Sequence, residues 1–421
     1  MGVFYRFFSG PTQRNRARLM VTLGCRIARA IAVVRRFFSR RELWRILVVK
    51  PDAVGDFILA TPFLRELRRS FPKTHITLVV HPRVLSLAEN CPHVNRILAF
   101  DPSVPRAAST EYRQLRALGF ALTKCSRFGV DLAVLARSGD DYYDGYQLML
   151  GCAPSRIAGF TSILSRIDGL HWKSLVPTHA MILPATVPSH EVTRNLNLLK
   201  AIGGTVGSEQ LELWLTADDK MKTNGWLHRV TVDKHVPKIA LGIGAADEAR
   251  RWPAERFAEL CKFLIEEYDA QLILIGAGAE DAADAATIVR LTESSHVLNA
   301  VDAFSLRETA ALLENGQLFV GNDSGPMHLA AAVGIPVVEI SALPEDEDPN
   351  SNYSPVRFGP WQVRSRIVRP TTRSGHSVPA QSADVLCINE VTTSAVYSAV
   401  KELLDENIAS TARKRVVAGR G

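Results

Sequence analysis

The feature that most restricts how this chain can fold is an alternation, made twice over, of short apolar runs with longer amphipathic stretches. ILVVK (46–50) is followed by the turn PDAVGD and the helical pattern FILATPFLRELRRSF (57–71). ITLVV (76–80), RILAF (96–100) and DLAVLAR (131–137) come next, separated by amphipathic segments such as TEYRQLRALGFALTKCSRFG (110–129). Short runs rich in β-branched residues and bounded by turns read as buried strands. Strand and helix in alternation predict a parallel, doubly wound sheet. A second series begins at KIALGIG (238–244) and continues through QLILIG (271–276), HVLNAV (296–301), LFVGN (318–322) and PVVEI (336–340). The fold class is therefore α/β, with two Rossmann-like halves, and a chain of 421 residues has the length for two domains.

Between the two series the character of the sequence changes. PATVPSH carries two prolines, EVTRNLNLLKAIGG reads as a helix stopped by paired glycines, and a less regular stretch (208–237) follows. The expected organisation is a basic arm at 1–45, a first domain at 46–190, a linker region at 191–237, a second domain at 238–393, and a C-terminal helix and tail at 394–421. The helix candidate SAVYSAVKELLDENI (394–408) is expected to pack back across the junction, and the tail TARKRVVAGRG to be solvated.

The formal charge of +7 suggests nucleic acid until it is divided along the chain. Residues 1–45 hold eleven arginines and one acid, Glu42, which makes +10; the remainder has 39 basic and 42 acidic residues, net −3. A mildly acidic body argues against a nucleic-acid groove and moves the question of partners to the arm. There, Met20, Leu23, Ile27, Ile31, Val34 and Phe38 fall on one side of a helical wheel, with Arg18, Arg29 and Arg36 opposite. Arg26 and Arg29 interrupt the apolar run, so a membrane span is not expected. Three readings fit the amphipathic basic helix: a helix lying on an anionic membrane surface, a targeting segment, or a helix docked on its own protein. Six cysteines are spread without a Cys-x-x-Cys pair or a close His at zinc-ligand spacing, which points to reduced thiols and a cytoplasmic protein.

In an open parallel sheet, ligands bind at the carboxyl ends of strands, where the next helix presents free N–H groups and a positive dipole end. Two corners collect chemistry there. After LFVGN come Asp323, Ser324, Gly325 and, one helical turn on, His328. A glycine for close approach, a hydroxyl donor and a helix start suit a phosphate or diphosphate. A plain Asp or Ser cap with a core histidine fits the same residues. The second corner is VVKPDAVGDFILATP, in which Gly55 permits a tight bend and Asp56 stands where a helix begins. A cap worth about 1 kcal/mol accounts for Asp56. So does a general base accepting a proton from an attacking hydroxyl.

Taken together, the two corners resemble those of glycosyltransferase family 9, the bacterial heptosyltransferases of lipopolysaccharide core assembly. ILVVKPDAVGDFILATPFLRELRRSFP and FVGNDSGPMHLAAAVGIPVV carry the resemblance, from about position 46 to 340, in the family's order and separation. It implies the GT-B architecture, two Rossmann-like domains facing a central cleft, with acceptor bound by the first and nucleotide sugar by the second. Asp56 matches the general base. The donor-binding set is Arg250, Arg251, Glu280, Asp323, Ser324, Gly325 and His328, with Ser324 and Gly325 at the diphosphate and Glu280 at the ribose. Lys50, Gly55 and Thr61 form the acceptor or first-turn set, and Phe304 lies near where the family packs the base. The resemblance implies metal-independent transfer without a cofactor, from ADP-heptose to a glycolipid acceptor at the inner face of the bacterial inner membrane.

The chain departs from the family in three places. GIGAADEARRWPAERFAEL (242–260) has Arg250 where a Lys usually stands two residues before the Trp; Arg binds phosphate bidentately, with altered geometry. Pro51, Asp52 and Ala53 stand where small hydroxyl residues are frequent, and Asp52 becomes a rival carboxylate to Asp56. Asp346-Glu347-Asp348 imitates an Asp-x-Asp metal motif but reads as a solvated acidic loop. A further acidic group, Asp140, Asp141 and Asp144, fits either an acceptor-side lining or a polar loop. The alternatives are a non-catalytic nucleotide-sugar-binding module recruited to the membrane by its arm, or transfer from another nucleotide sugar. A dinucleotide-dependent oxidoreductase is disfavoured because the first turn lacks Gly-x-Gly-x-x-Gly.

Overall fold

The computed structural model describes residues 11–37, 44–103, 110–125, 129–138, 144–160, 180–183, 189–230, 236–371 and 387–418. The chain divides into two compact units, residues 1–187 with 191–209, and residues 188–190 with 210–421. In the first, strands β1 (Arg45–Lys50), β2 (His75–Val80), β3 (Arg96–Ala99), β4 (Leu132–Leu135), β5 (Arg156–Phe160) and β6 (Ala180–Leu183) form one sheet of order β3-β2-β1-β4-β5-β6. Every pairing is parallel. The order reverses between β1 and β4, so the carboxyl ends of these two strands flank the switch point where such sheets hold ligands.

The expected helix over 57–71 is two helices, α2 (Val54–Ile58) and α3 (Thr61–Ser70). Pro62 near the start of α3 has no N–H to continue a ladder, and Thr61 donates its hydroxyl to the Ile58 carbonyl (2.7 Å), closing the break. Helix α4 (Thr110–Phe120) runs on into a wider turn at Ala121–Cys125, and α5 (Gly145–Gly151) follows β4. Helix α6 (Glu191–Ala201), read as part of the linker, belongs to the first unit and packs on α3. It ends as the paired glycines predict, with Gly203 at φ +90°.

The arm forms helix α1 (Pro11–Phe37), and the face it docks on the protein is not its large apolar one. It packs on α4 and α5 through Ala17, Val21, Cys25 and Ala28, with Gly24 beside Leu118, a narrow strip of small residues that lets the helices approach closely. Leu19, Met20, Leu23, Ile27, Ile31 and Val34 are 38–69% exposed. Arg18 holds the docked helix through Glu111, Nε to Oε1 at 2.7 Å. Phe38 lies outside the described residues.

The second unit repeats the plan. Strands β7 (Lys238–Gly242), β8 (Gln271–Ile275), β9 (Val297–Asn299), β10 (Leu318–Asn322), β11 (Val337–Ile340) and β12 (Ser365–Val368) form a parallel sheet of order β12-β11-β10-β7-β8-β9. Its switch point lies between β7 and β10. There Gly321 stands opposite Gly242, and a Cβ on Gly321 would come within 3 Å of the Gly242 backbone, so the strands close only without side chains. The connecting helices are α7 (Ala217–Val230) before the sheet, α8 (Ala254–Tyr268), α9 (Ala279–Thr292), α10 (Leu306–Leu313) and α11 (Gly325–Val333). The C-terminal helix α12 (Thr393–Ala418) packs on α8 and on β11 and β12 of this unit, with Val396, Val400, Leu403 and Leu404 in its core. It runs through most of the segment read as a tail. Among the described residues, no helix is long and apolar enough to cross a membrane.

Candidate active site

The first corner is a buried ion cluster. Asp52 follows β1 and is fully buried, with Lys50 Nζ 2.6 Å from Oδ2 and Arg137 Nη1 2.7 Å from Oδ1. Burial alone would raise its pKa, but the two cations outweigh burial and hold the carboxyl below the ordinary range. Lys50 is itself 2% exposed, so its ammonium is engaged by Asp52 rather than offered to an acceptor. Thr61 is likewise fully buried and bonded to Ile58, and Gly55 lies inside α2 with no left-handed φ. These three therefore shape the corner instead of lining it.

Asp56 is the carboxylate left free. It occupies the first turn of α2, whose capping position is taken by Ala53 without a side-chain bond, so the capping role considered for Asp56 is not realised. Among the described residues its carboxylate makes no hydrogen bond or ion pair. Burial, together with the charges of Asp52 and Glu191, raises its pKa against the pull of Lys50 and Arg137. Two neighbouring carboxylates are thus pushed in opposite directions, the pattern that separates a fixed counter-ion from a proton acceptor. Sequence reasoning missed the rest of the cluster. Glu191 at the start of α6 accepts from Ser138 Oγ (2.5 Å), and Arg194 donates to the same hydroxyl (3.0 Å). Arg137 and Ser138 end the run DLAVLARS, and a charge at a strand's carboxyl end was the available signal. Asp140 and Asp141 lie outside the described residues. Asp144 stands at the start of α5, 3.6 Å from Arg113 Nε.

The second corner is assembled from the loops after β7 and β10. Asn322, fully buried, donates to the Ile243 carbonyl (2.8 Å) and accepts from the Trp252 backbone (3.1 Å), tying the two loops together. Asp247 caps the short turn Glu248–Arg250 and sets the direction of Arg250. Arg250 Nη1 reaches the Asp323 carbonyl at 3.1 Å and its carboxylate at 3.3 Å, and the guanidinium lies 5.2 Å from the Tyr353 ring. Arg251, expected beside it at the donor phosphates, is turned away. Its guanidinium meets Asp281 (2.5 Å), Asp284 (2.8 Å) and Glu280 (3.3 Å), a clamp between the β7 loop and α9. Asp281 also receives the Ala277 N–H (2.8 Å) and fills the space beside Gly244 and Gly276, where a Cβ would strike it. The Glu280 side chain is 85% exposed at the N-terminal end of α9.

Ser324 stands at the N-cap of α11, yet its hydroxyl caps nothing. Ser324 Oγ, His328 Nδ1 and Arg250 Nε are buried without hydrogen-bond partners. Buried polar atoms are almost always paired, so three orphans around one helix start mark a place that receives a polar ligand. Gly325 opens the helix, half-buried, ahead of Pro326. His328 is 4% exposed; burial, with the charges of His190 and Arg250, pushes its pKa down to about 3, so it is neutral. Burial raises the Asp323 pKa and Arg250 opposes the rise. Phe304 packs edge-on against Trp226 at 5.5 Å. Asp346 and Asp348 lie exposed on a loop, and among the described residues no group of three or more His, Cys, Asp or Glu side chains is arranged to hold a metal ion.

The family model described as glycosyltransferase family 9 (heptosyltransferase) matches residues 169–384, just over half of the chain. The chain belongs to glycosyltransferase family 9. Lipopolysaccharide heptosyltransferase 3 of Escherichia coli (strain K12) is 24% identical to this family 9 chain over 286 residues, 68% of the chain and 79% of that relative. The glycosyl transferase family 9 structure from Veillonella parvula DSM 2008 matches with a TM-score of 0.68 at 21% identity, covering 86% of this chain and 97% of that one. The E. coli ADP-heptose lps heptosyltransferase II matches with a TM-score of 0.60 at 19% identity, covering 86% and 99%. At these identities the structural likeness is one of fold, and that fold is GT-B, built from two parallel-sheet Rossmann-like units. The family 9 chain is a glycosyltransferase.

Proposed function

We propose that this family 9 enzyme transfers heptose from ADP-heptose, with inversion, to a sugar hydroxyl of a lipopolysaccharide-type glycolipid. The observation that carries the donor half is the set of unpartnered buried polar atoms around the start of α11, beside Arg250. A diphosphate there would accept from Ser324 Oγ, Arg250 and the free N–H groups of the helix, with Gly325 at its closest approach. These fixed donors would stabilise the charge that grows on the leaving ADP in the transition state. Glu280 is exposed at a neighbouring helix start, a position suited to the ribose hydroxyls. The resemblance in fold to an enzyme named for ADP-heptose supports the choice of donor.

On the acceptor side, Asp56 takes the proton from the attacking hydroxyl, and its raised pKa brings its basicity closer to that task. Attack from the face opposite the diphosphate inverts the anomeric centre. Asp52 stays ionised between its two cations and does not compete for the proton.

The acceptor reading extends to the membrane. α1 presents six large apolar side chains on a helix rich in arginine and without an acid, while its opposite strip is docked. That is the composition of a helix lying in an anionic headgroup layer, and it fits a peripheral enzyme at the inner face of the inner membrane. Replacing Leu23 and Ile27 with Glu is expected to release the protein from phosphatidylglycerol vesicles in a sedimentation assay.

The donor is tested by a thermal-shift panel of ADP-, UDP-, GDP- and CMP-sugars, in which selective stabilisation by ADP-heptose is expected. Stabilisation by another nucleotide sugar would select that donor instead. Asp56→Asn is expected to lower ADP release by about 10²–10⁴-fold with donor binding retained. Unchanged release would remove Asp56 as base, and absence of release from the wild type with each acceptor offered would favour a non-catalytic binding module.

A further inference from the structure

Glu339 is a charged residue inside an otherwise apolar strand, VVEI, and no part of the mechanism above uses it. Val338 and Ile340 of β11 point into the core under α8 and α12. Glu339 therefore points to the opposite face, and Ser341 follows it there two residues on. In register across the sheet stand Gly242 on β7, Gly321 on β10 and Glu339 on β11. Two glycines leave Glu339 as the one functional side chain of that row, at the edge where Asp323 and Ser324 begin the donor corner.

Glu339 is 1% exposed, its Oε2 has no hydrogen-bond partner, and Ser341 Oγ is likewise buried without one. The charged and titratable groups around it come from four elements. Asp323 comes from the β10 corner with Arg250 behind it, and α11, which packs on β11, carries neutral His328. Arg369 follows β12, its Nε donating to the Leu343 carbonyl at 2.9 Å and its Nη2 to that of Pro344. His190 is stacked on Trp361 and bonded to the Gly359 carbonyl, and a Cβ on Gly359 would stand 3.6 Å from Glu339 Oε2. No cation forms an ion pair with Glu339 among the described residues. Burial, with the charge of Asp323, raises its pKa well above the ordinary value, and Arg369 only partly opposes this. Burial of that kind favours the uncharged form of a carboxyl, whose O–H is a hydrogen-bond donor.

We propose that Glu339 is a donor-site residue that presents its carboxylic O–H to an oxygen of the bound sugar diphosphate, with Ser324 and Ser341 on either side. This rests on the reading of the α11 corner as the nucleotide-sugar site. Ionised Glu339 would set a second carboxylate beside the diphosphate next to Asp323. Donor binding therefore weakens as pH rises through the Glu339 pKa, by up to about tenfold per unit, because only the protonated form binds.

ADP-heptose is the suitable probe, since its diphosphate is doubly esterified and stays ionised without titrating between pH 6.5 and 9.5. Its Kd is measured calorimetrically over that range for the wild type, Glu339→Gln and Glu339→Ala. The expected result is an alkaline decline in wild-type affinity, a flat profile for Glu339→Gln with near-native Kd at pH 7, and a loss of about tenfold at pH 7 for Glu339→Ala. A flat wild-type profile overturns the proposal whether or not the variants fold, and so does an alkaline decline that persists in Glu339→Gln. Arg250→Met separates this from the underlying reading. If it too binds ADP-heptose as tightly as the wild type, the corner is not the donor site and both fall; if it loses binding while the Glu339 variants do not change the profile, only the role of Glu339 falls.

Discussion

Replacing Asp52 with Asn tests whether the ion cluster beside Asp56 is an interior lock that also sets the base. Its two oxygens lie 2.6 and 2.7 Å from Lys50 and Arg137, and Lys50 is 2% exposed, so the amide leaves an ammonium in the interior facing a neutral group. Breaking a buried pair from one side costs about 3–5 kcal/mol, whereas an exposed pair is worth about 0–1. For a unit of about 200 residues each kcal/mol moves the midpoint by roughly 2–4 °C. A fall of about 6–20 °C is therefore expected in the calorimetric transition of the first unit. The same variant reports on Asp56. Asp52 raises the Asp56 pKa while Lys50 and Arg137 lower it. Asp52→Asn removes the first influence and frees the other two, so the Asp56 pKa falls and the acid limb of kcat/KM moves to lower pH. Arg137→Met removes a cation and moves that limb to higher pH. A midpoint within 2 °C of the wild type, or displacement of both limbs in the same direction, would refute this account.

Arg250→Met is expected to raise the donor KM by about 10–100-fold, the loss of one charge-assisted contact, with the folded state intact by circular dichroism. Arg251→Met is expected to do the reverse, costing about 2–4 kcal/mol in urea unfolding by releasing Asp281 and Asp284 while leaving donor KM near native. His328 is neutral when folded, with a pKa of about 3, but ordinary when unfolded, so the unfolded state takes up the proton first. Stability should then decline below pH 6.5 by up to about 1.4 kcal/mol per unit from this residue alone, and His328→Gln should flatten that slope in urea titrations between pH 7 and 5.

The central strands were readable because a doubly wound sheet buries them on both faces, which turns them into unbroken apolar runs such as ILVV and LILI. Three strands lacked that mark. β12 (SRIV) is an edge strand with half-buried and exposed positions, β6 lies at the other sheet's edge, and β5 (RIAGF) carries Gly159 in its run. The arm shows a different limit. A helical wheel locates apolar residues but not the surface that meets them, and Ala17, Gly24, Cys25 and Ala28 carry little hydrophobic weight. Their small size decides the docking, because it lets α1 approach α4 and α5, and so the stronger apolar arc is the one left exposed.

At the site, residue type and strand-end position were legible, but partnership was not. Asp52 meets Arg137 across 85 positions and Arg250 meets Asp323 across 73, contacts that no local pattern encodes. The adjacent arginines make the point most sharply. In a tight three-residue turn, successive side chains point about 120° apart. The Asp247-capped turn therefore sends Arg250 toward the β10 corner and Arg251 toward α9. Arg251 finds three carboxylates and becomes a clamp. Arg250 finds one, shared with a backbone carbonyl, and retains an unpartnered Nε beside an uncapped helix start. Arg251 also keeps a buried Nε without a partner, so what separates the two is direction. Arg250 lies at the uncapped helix start where we propose that the diphosphate binds, and that direction is a property of the folded contacts rather than of the sequence RR.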